Sequence, residues 1–166
     1  MHKLFITLII GLVASLSFAH PHVWMDSDIR ITQDTIDVQW TFDEMFSSIV
    51  FSDFDTNEDK KILGDEVAEV KSNMFNNLSK FSFFTTVICG KKQSNFDKAY
   101  DFKAWAKDDR IVYSFKLAMP NMKCASGLEV HSFDNSYYSD ITIKSAKGNN
   151  VSIKEDGSGR QYIVVK

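Results

Sequence analysis

The stretch Asp55-Thr56-Asn57-Glu58-Asp59-Lys60-Lys61-Ile62-Leu63-Gly64-Asp65-Glu66 constrains the fold more than any other, because its oxygen-bearing side chains recur at the spacing of a calcium loop. In the EF-hand loop of 12 residues, positions 1, 3, 5 and 12 supply side-chain ligands, position 7 supplies a carbonyl, and position 8 packs inward between two helices. These positions fall on Asp55, Asn57, Asp59, Glu66, Lys61 and Ile62. A frame begun at Asp53 puts Gly64 at the last ligand position and Lys60 at the inward one, so only the Asp55 frame fits. Position 6 ordinarily carries glycine because the loop turns sharply there with positive φ. Here it is Lys60, for which that conformation costs on the order of 1 kcal/mol. With two lysines in the loop and no second loop to pair with, the expected calcium affinity is at most that of weak extracellular modules. The alternative is a solvated acidic turn between two helices.

The flanks fit a helix on each side. Phe42, Met45, Phe46, Ile49 and Val50 fall at helical spacing, with Thr41 and Glu44 as a capping box, and Val67, Val70, Met74, Phe75 and Leu78 form a second apolar stripe. Both stripes read as core. Around this helical hairpin, placed at about 41–80, the pattern is β. Ile29 and Ile31, a turn at Gln33-Asp34, then Ile36, Val38 and Trp40 read as a hairpin. Beyond Lys80 we read strands at Phe81 to Cys89, along Tyr100, Phe102, Ala104 and Ala106, and along Ile111, Tyr113, Phe115 and Leu117 up to Pro120. Further strands begin at Leu128, run from Tyr138 to Ile143 and from Val151 to Ile153, and end the chain from Tyr162 to Val165. The expected fold is mainly β: a β-sandwich carrying an inserted EF-hand-like helix-loop-helix.

Met1-His2-Lys3, the apolar run Leu4 to Val13 and the small residues before Ala19 have the form of a secretory signal peptide, too short in its apolar part to span a bilayer. Residues 1–19 are thus expected to be removed, leaving one domain over 20–166, with no transmembrane segment in the mature chain and a periplasmic location. The formal net charge of −3 gives no reason to expect nucleic acid as a partner. In an oxidising compartment the two cysteines, Cys89 and Cys124, are most simply a disulfide, and the alternative is two buried thiols.

Cleavage after Ala19 would expose His20-Pro21-His22 at a free amino terminus. The square-planar copper or nickel site that uses the amide nitrogen of residue two is excluded, because Pro21 has no N–H. What remains is the α-amine with two imidazoles, suited to zinc, nickel, cobalt or copper, which Asp26, Asp28 or His131 could complete. The alternative is an ordinary polar terminus. No nucleophile has a recognisable partner and no phosphate loop is present, so the reading is that the protein is not an enzyme.

Five stretches then carry a family resemblance: Ala19 to Asp26, Trp40 to Glu44, the acidic loop, Phe83-Phe84-Thr85, and Asp134 to Tyr138. Over most of the mature chain the sequence resembles exported bacterial proteins catalogued as a domain of unknown function (family 1007), labelled the periplasmic component of an uncharacterised transport system. It departs from them at Lys60, in place of the loop glycine, and at Asn135, in place of a proline. The resemblance implies a periplasmic protein encoded near nickel and cobalt transporters and no established activity. Two functions are therefore expected to compete. One is an accessory protein that binds a divalent transition metal through His20, His22, Asp26 and His131 and assists a membrane metal transporter. The other is a calcium-stabilised β-domain for protein interaction.

Overall fold

The structure, a computed structural model, describes residues 22–166. The expected signal peptide and His20 lie outside the described residues.

Alternation starts the fold. In β1 (Val23–Ile31), Val23, Met25, Ser27, Ile29 and Ile31 are buried, and in β2 (Thr35–Phe42), Ile36, Val38, Trp40 and Phe42 are. The two strands form the expected hairpin, with Met25 opposite Phe42 and Ile31 opposite Ile36. The remaining strands are β3 (Thr85–Cys89), β4 (Lys92–Asn95), β5 (Tyr100–Lys107), β6 (Arg110–Ala118), β7 (Leu128–Ser132), β8 (Ser139–Lys147), β9 (Val151–Glu155) and β10 (Gln161–Val165). They make two five-stranded sheets, ordered β5-β6-β2-β1-β8 and β4-β3-β7-β10-β9. β8 runs parallel to β1, whereas its neighbours in sequence, β7 and β9, belong to the other sheet. One apolar core is shared by both sheets, with Trp40, Phe115 and Leu117 from the first and Val87, Val130 and Ile163 from the second. The mainly β fold with an inserted helical hairpin is thus observed. A disulfide joins Cys89, at the end of β3, to Cys124 in the β6–β7 connection, with Cα atoms 5.7 Å apart.

The helical insertion differs from expectation at both ends. Helix α1 (Glu44–Phe54) is capped by Asp43, whose Oδ1 accepts from the Phe46 amide at 2.8 Å, and no capping box forms because Thr41 is held in the β2–β6 ladder opposite Val112. The Asp43 Oδ2 accepts from the Trp24 amide at 2.7 Å, so one carboxylate both caps the helix and latches it to β1. The buried face of α1 is Ser47, Val50 and Phe54, while Met45 and Ile49 are exposed. Ser47 decides this rotation: its hydroxyl accepts from the Ile111 amide at 2.9 Å and donates to the Asp43 carbonyl, tying the helix to β6. Helix α2 (Asp65–Asn73) is shorter than its stripe, and the chain continues through Phe75–Phe84 as 3-10 turns broken by a kink at Phe81, Ser82 and Phe83. The expected strand at Phe81 to Cys89 therefore begins only at Thr85. Ser82, Phe83 and Phe84 have positive φ, a conformation costing roughly 1–2 kcal/mol per residue. Burial of both phenylalanines offsets that cost, together with the Ser82 hydroxyl, which accepts from the Phe96 amide at 2.8 Å. Among the described residues no helix is long and apolar enough to cross a membrane.

Candidate functional site

The loop between α1 and α2 is built by carboxylates that collect backbone amides. Asp55 Oδ1 accepts from the Asp59 amide at 3.1 Å and Oδ2 from the Lys60 amide at 2.8 Å. Asn57 Oδ1 also accepts from Asp59, at 3.0 Å, and Asp59 Oδ1 accepts from the Lys61 amide at 2.9 Å. Lys60 takes the left-handed conformation, φ 58°, that its position in the loop demands, and Ile62 is fully buried in the apolar core. Glu66 closes the ring from the first turn of α2. Its Oε1 accepts from the Thr56 amide and hydroxyl, each at 3.0 Å, and its Oε2 from the Leu63 amide at 3.1 Å. The Leu63 amide, opposed by burial and aided by Thr56 and the Asn57 amide, holds the Glu66 carboxyl below its ordinary value. Of the two lysines, Lys60 turns away to Asp109 on the β5–β6 turn, at 3.4 Å, while Lys61 Nζ stands 3.7 Å from Asp59 Oδ2. The carboxylates therefore serve the loop's own amides, and a cation bound here would share their remaining lone pairs. Among the described residues no three His, Cys, Asp or Glu side chains are gathered as a metal site.

Of the residues expected to hold a transition metal, His20 lies outside the described residues, and the others are not gathered into one site. His22 is exposed at the start of β1, where its amide donates to the Tyr138 carbonyl at 2.8 Å and its ring centroid is 5.0 Å from that of Tyr138. Asp26 faces outward from the first sheet, 3.4 Å from Lys144 Nζ, and Asp28 accepts from the Ser145 hydroxyl. His131 lies on β7 in the second sheet. Its neighbours Val130 and Ile163 are buried, so His131 points outward, 3.0 Å from Glu129 and stacked on Tyr162 at 4.9 Å. Asp26 and His131 thus stand on opposite outer faces of the two-sheet core and are not brought together.

The structure also assembles a feature that the sequence reading missed. An apolar cavity of about 350 Å³ lies between the first sheet and the helical insertion. Its wall takes Val23 and Met25 from β1, Trp40 and Phe42 from β2, and Phe84 from the 3-10 segment, with Asp134, Ser136 and Tyr138 at one side. Four of the five stretches that carry the family resemblance meet there. Their apolar residues read as ordinary core in the sequence, and only their convergence marks the site.

The model of a family described as "Protein of unknown function (DUF1007)" matches residues 5–161. No curated protein and no solved structure matches.

Proposed function

We propose, from the premise that the chain belongs to the family described as Protein of unknown function (DUF1007), that it is a calcium-stabilised β-domain for protein interaction. The observation that carries this reading is Lys60 held at φ 58°, with Ile62 two residues later buried in the core: the loop backbone has the turn a calcium loop needs even without the glycine that makes it cheaply. Asp55, Asn57, Asp59 and Glu66 would be the side-chain ligands and Lys61 the carbonyl ligand. Exposed aromatics Phe81, Tyr137 and Tyr138 support an interaction role, since apolar surface left exposed marks contact sites. A cation bound only by the folded state raises the melting temperature by linkage. Millimolar calcium should therefore raise it, Lys60→Gly should enlarge the shift, and Glu66→Gln should remove it. A melting temperature unmoved by calcium in both the parent and Lys60→Gly reduces the loop to a turn.

A second reading rests on the exposed His22 imidazole. In it the protein is a periplasmic accessory that binds zinc, nickel, cobalt or copper through its mature α-amine, His20 and His22, and serves a membrane metal transporter. Placing one alanine before His20 in the mature chain moves the amine away but keeps both imidazoles. Loss of calorimetric zinc or nickel affinity in that variant and in His22→Ala supports this reading, and tight binding that survives both changes removes the amino terminus from the mechanism.

A further inference from the structure

Away from the helical insertion, the end of the first sheet carries an open cleft of about 690 Å³, within the ~300–1,000 Å³ found for small-molecule sites. Because β8 runs parallel to β1, the two strands end side by side, with Arg30 in register with Lys147. The turns that follow them wall the cleft, Thr32 and Gln33 on one side and Gly148 and Asn149 on the other, and Ile31 and Val165 add apolar surface. Both walls are fixed by their own chain. The Thr32 hydroxyl accepts from the Asp34 and Thr35 amides at 3.2 and 2.9 Å, and Gly148 packs so near β1 that a Cβ there would meet the Ile31 carbonyl oxygen at 2.6 Å.

Two cations stand in this cleft. Ile29 and Ile31 are buried, so Arg30 between them points outward, and both Arg30 and Lys147 also line the outer face of the sheet. Like charges side by side on neighbouring strands repel unless something of opposite sign lies between them. No side chain of the described protein does so. No carboxylate lines the cleft, and among the described residues neither Arg30 nor Lys147 forms an ion pair. The acids beside Arg30 on the outer face have other partners: Asp37, in register with it on β2, accepts from the Thr35 hydroxyl at 2.7 Å, and Asp28 accepts from the Ser145 hydroxyl. An arginine fork and a lysine point charge together suit an oxyanion with several acceptor oxygens, and the Gln33 and Asn149 amides add neutral donors at its rim. We propose that this cleft binds the phosphate group of a small phosphorylated molecule between Arg30 and Lys147, with the uncharged body of the ligand lying over Ile31 and Val165.

Inorganic phosphate and phenyl phosphate are the probes, with chloride at matched ionic strength as the control for screening. Followed by nitrogen-15 NMR, both probes should move the Arg30 Nε–H and the Gly148 and Asn149 amide resonances, and leave in place those of Lys103 and Ser114, which lie on the outer face but outside the cleft. Phenyl phosphate should bind several-fold more tightly, because its ring covers apolar wall. Arg30→Gln and Lys147→Gln, both at exposed positions that folding tolerates, should each weaken binding about tenfold or more, the weight of a hydrogen bond to a charged group. Arg30→Lys keeps the charge without the fork and should fall between. Lys103→Gln removes the same charge from the same face and should leave affinity unchanged. Resonances unmoved by either probe at millimolar concentration overturn the proposal. So do shifts that chloride reproduces, or a loss in Lys103→Gln equal to that in Arg30→Gln, since either reduces the effect to the general charge of the face. Affinity retained by both glutamine variants places the anion elsewhere, and equal affinities for the two probes remove the phosphorylated molecule as the ligand.

Discussion

Between Asp55 and Glu66 the chain is organised by carboxylates that gather backbone amides, whereas the interior beside Trp40 is organised by rings, with the Trp40 and Phe115 centroids 4.7 Å apart. The loop carries two non-glycine residues at positive φ, Glu58 and Lys60, besides Gly64, and its polar ring is partly exposed. Burial of apolar area stabilises the interior in proportion to the surface removed from water, without regard to pH or ions. A carboxylate ring stabilises only while its members are ionised and placed. The two regions therefore answer to different variables, and the loop is the part of this molecule whose stability solution conditions can tune.

The largest expected effect lies on the apolar side. Phe75 is 1% exposed, with ring centroids of Phe102, Phe115, Phe83 and Tyr113 at 4.1, 5.1, 5.2 and 6.3 Å. Phe75→Ala should lower unfolding free energy by about 3–5 kcal/mol, equally with calcium or chelator present. A calcium-dependent loss in denaturant titrations would break the separation between the two regions.

Next comes the disulfide, which belongs to neither region. The bridge from Cys89 to Cys124 spans 35 residues of sequence, so replacing both cysteines by serine should cost ~3–4 kcal/mol in the chain-entropy model. Because that effect acts through the unfolded chain, it should be the same at neutral and mildly acidic pH. Unfolding midpoints that agree with and without reductant would remove the bridge from the stability argument.

The smallest effect sharpens the comparison most. The Glu66 carboxyl is held below its ordinary value of about 4.5, first by the Leu63 amide. A group with a depressed folded value contributes stability above its unfolded pKa and loses it as pH falls through the folded one. The stability difference between the parent and Glu66→Gln should thus be full at neutral pH, begin to shrink below about pH 4.5, and vanish in stronger acid. The corresponding difference for Phe75→Ala should hold constant over the same range while the protein stays folded. A Glu66→Gln difference independent of pH would show that the Glu66 charge does not organise the loop.

Local pattern alone made several elements legible. Apolar alternation in β1, β2 and β6 marks their inward faces without reference to the rest of the chain, and the Asp108-Asp109 turn between β5 and β6, both residues at positive φ, is read from its aspartates. In the loop, ligand spacing set the frame in which Lys60 turns and Ile62 is buried. Where local signals compete, the tertiary partner decided. Thr41 has the chemistry of a cap, yet the β6 ladder holds it and Asp43 caps instead. Phe81 to Phe84 read as the start of a strand, but they form a kinked, left-handed turn before β3 because the packing of Phe83 and Phe84 outweighs their backbone strain. β4, polar and without alternation, exists because β3 offers it an edge.

The candidate metal ligands and the cavity show the same division at longer range. The sequence by itself determined which residues alternate, where the chain turns, and the spacing of oxygens from Asp55 to Glu66, because each depends on neighbours within a few residues. Only the tertiary structure decided that β1 and β7 enter different sheets, which separates Asp26 from His131, and that β8 returns parallel to β1, which brings Tyr138 beside Val23 and Trp40. Strand partners are chosen by long-range burial and twist, and the face a residue shares with a distant segment leaves no periodic trace in its own neighbourhood.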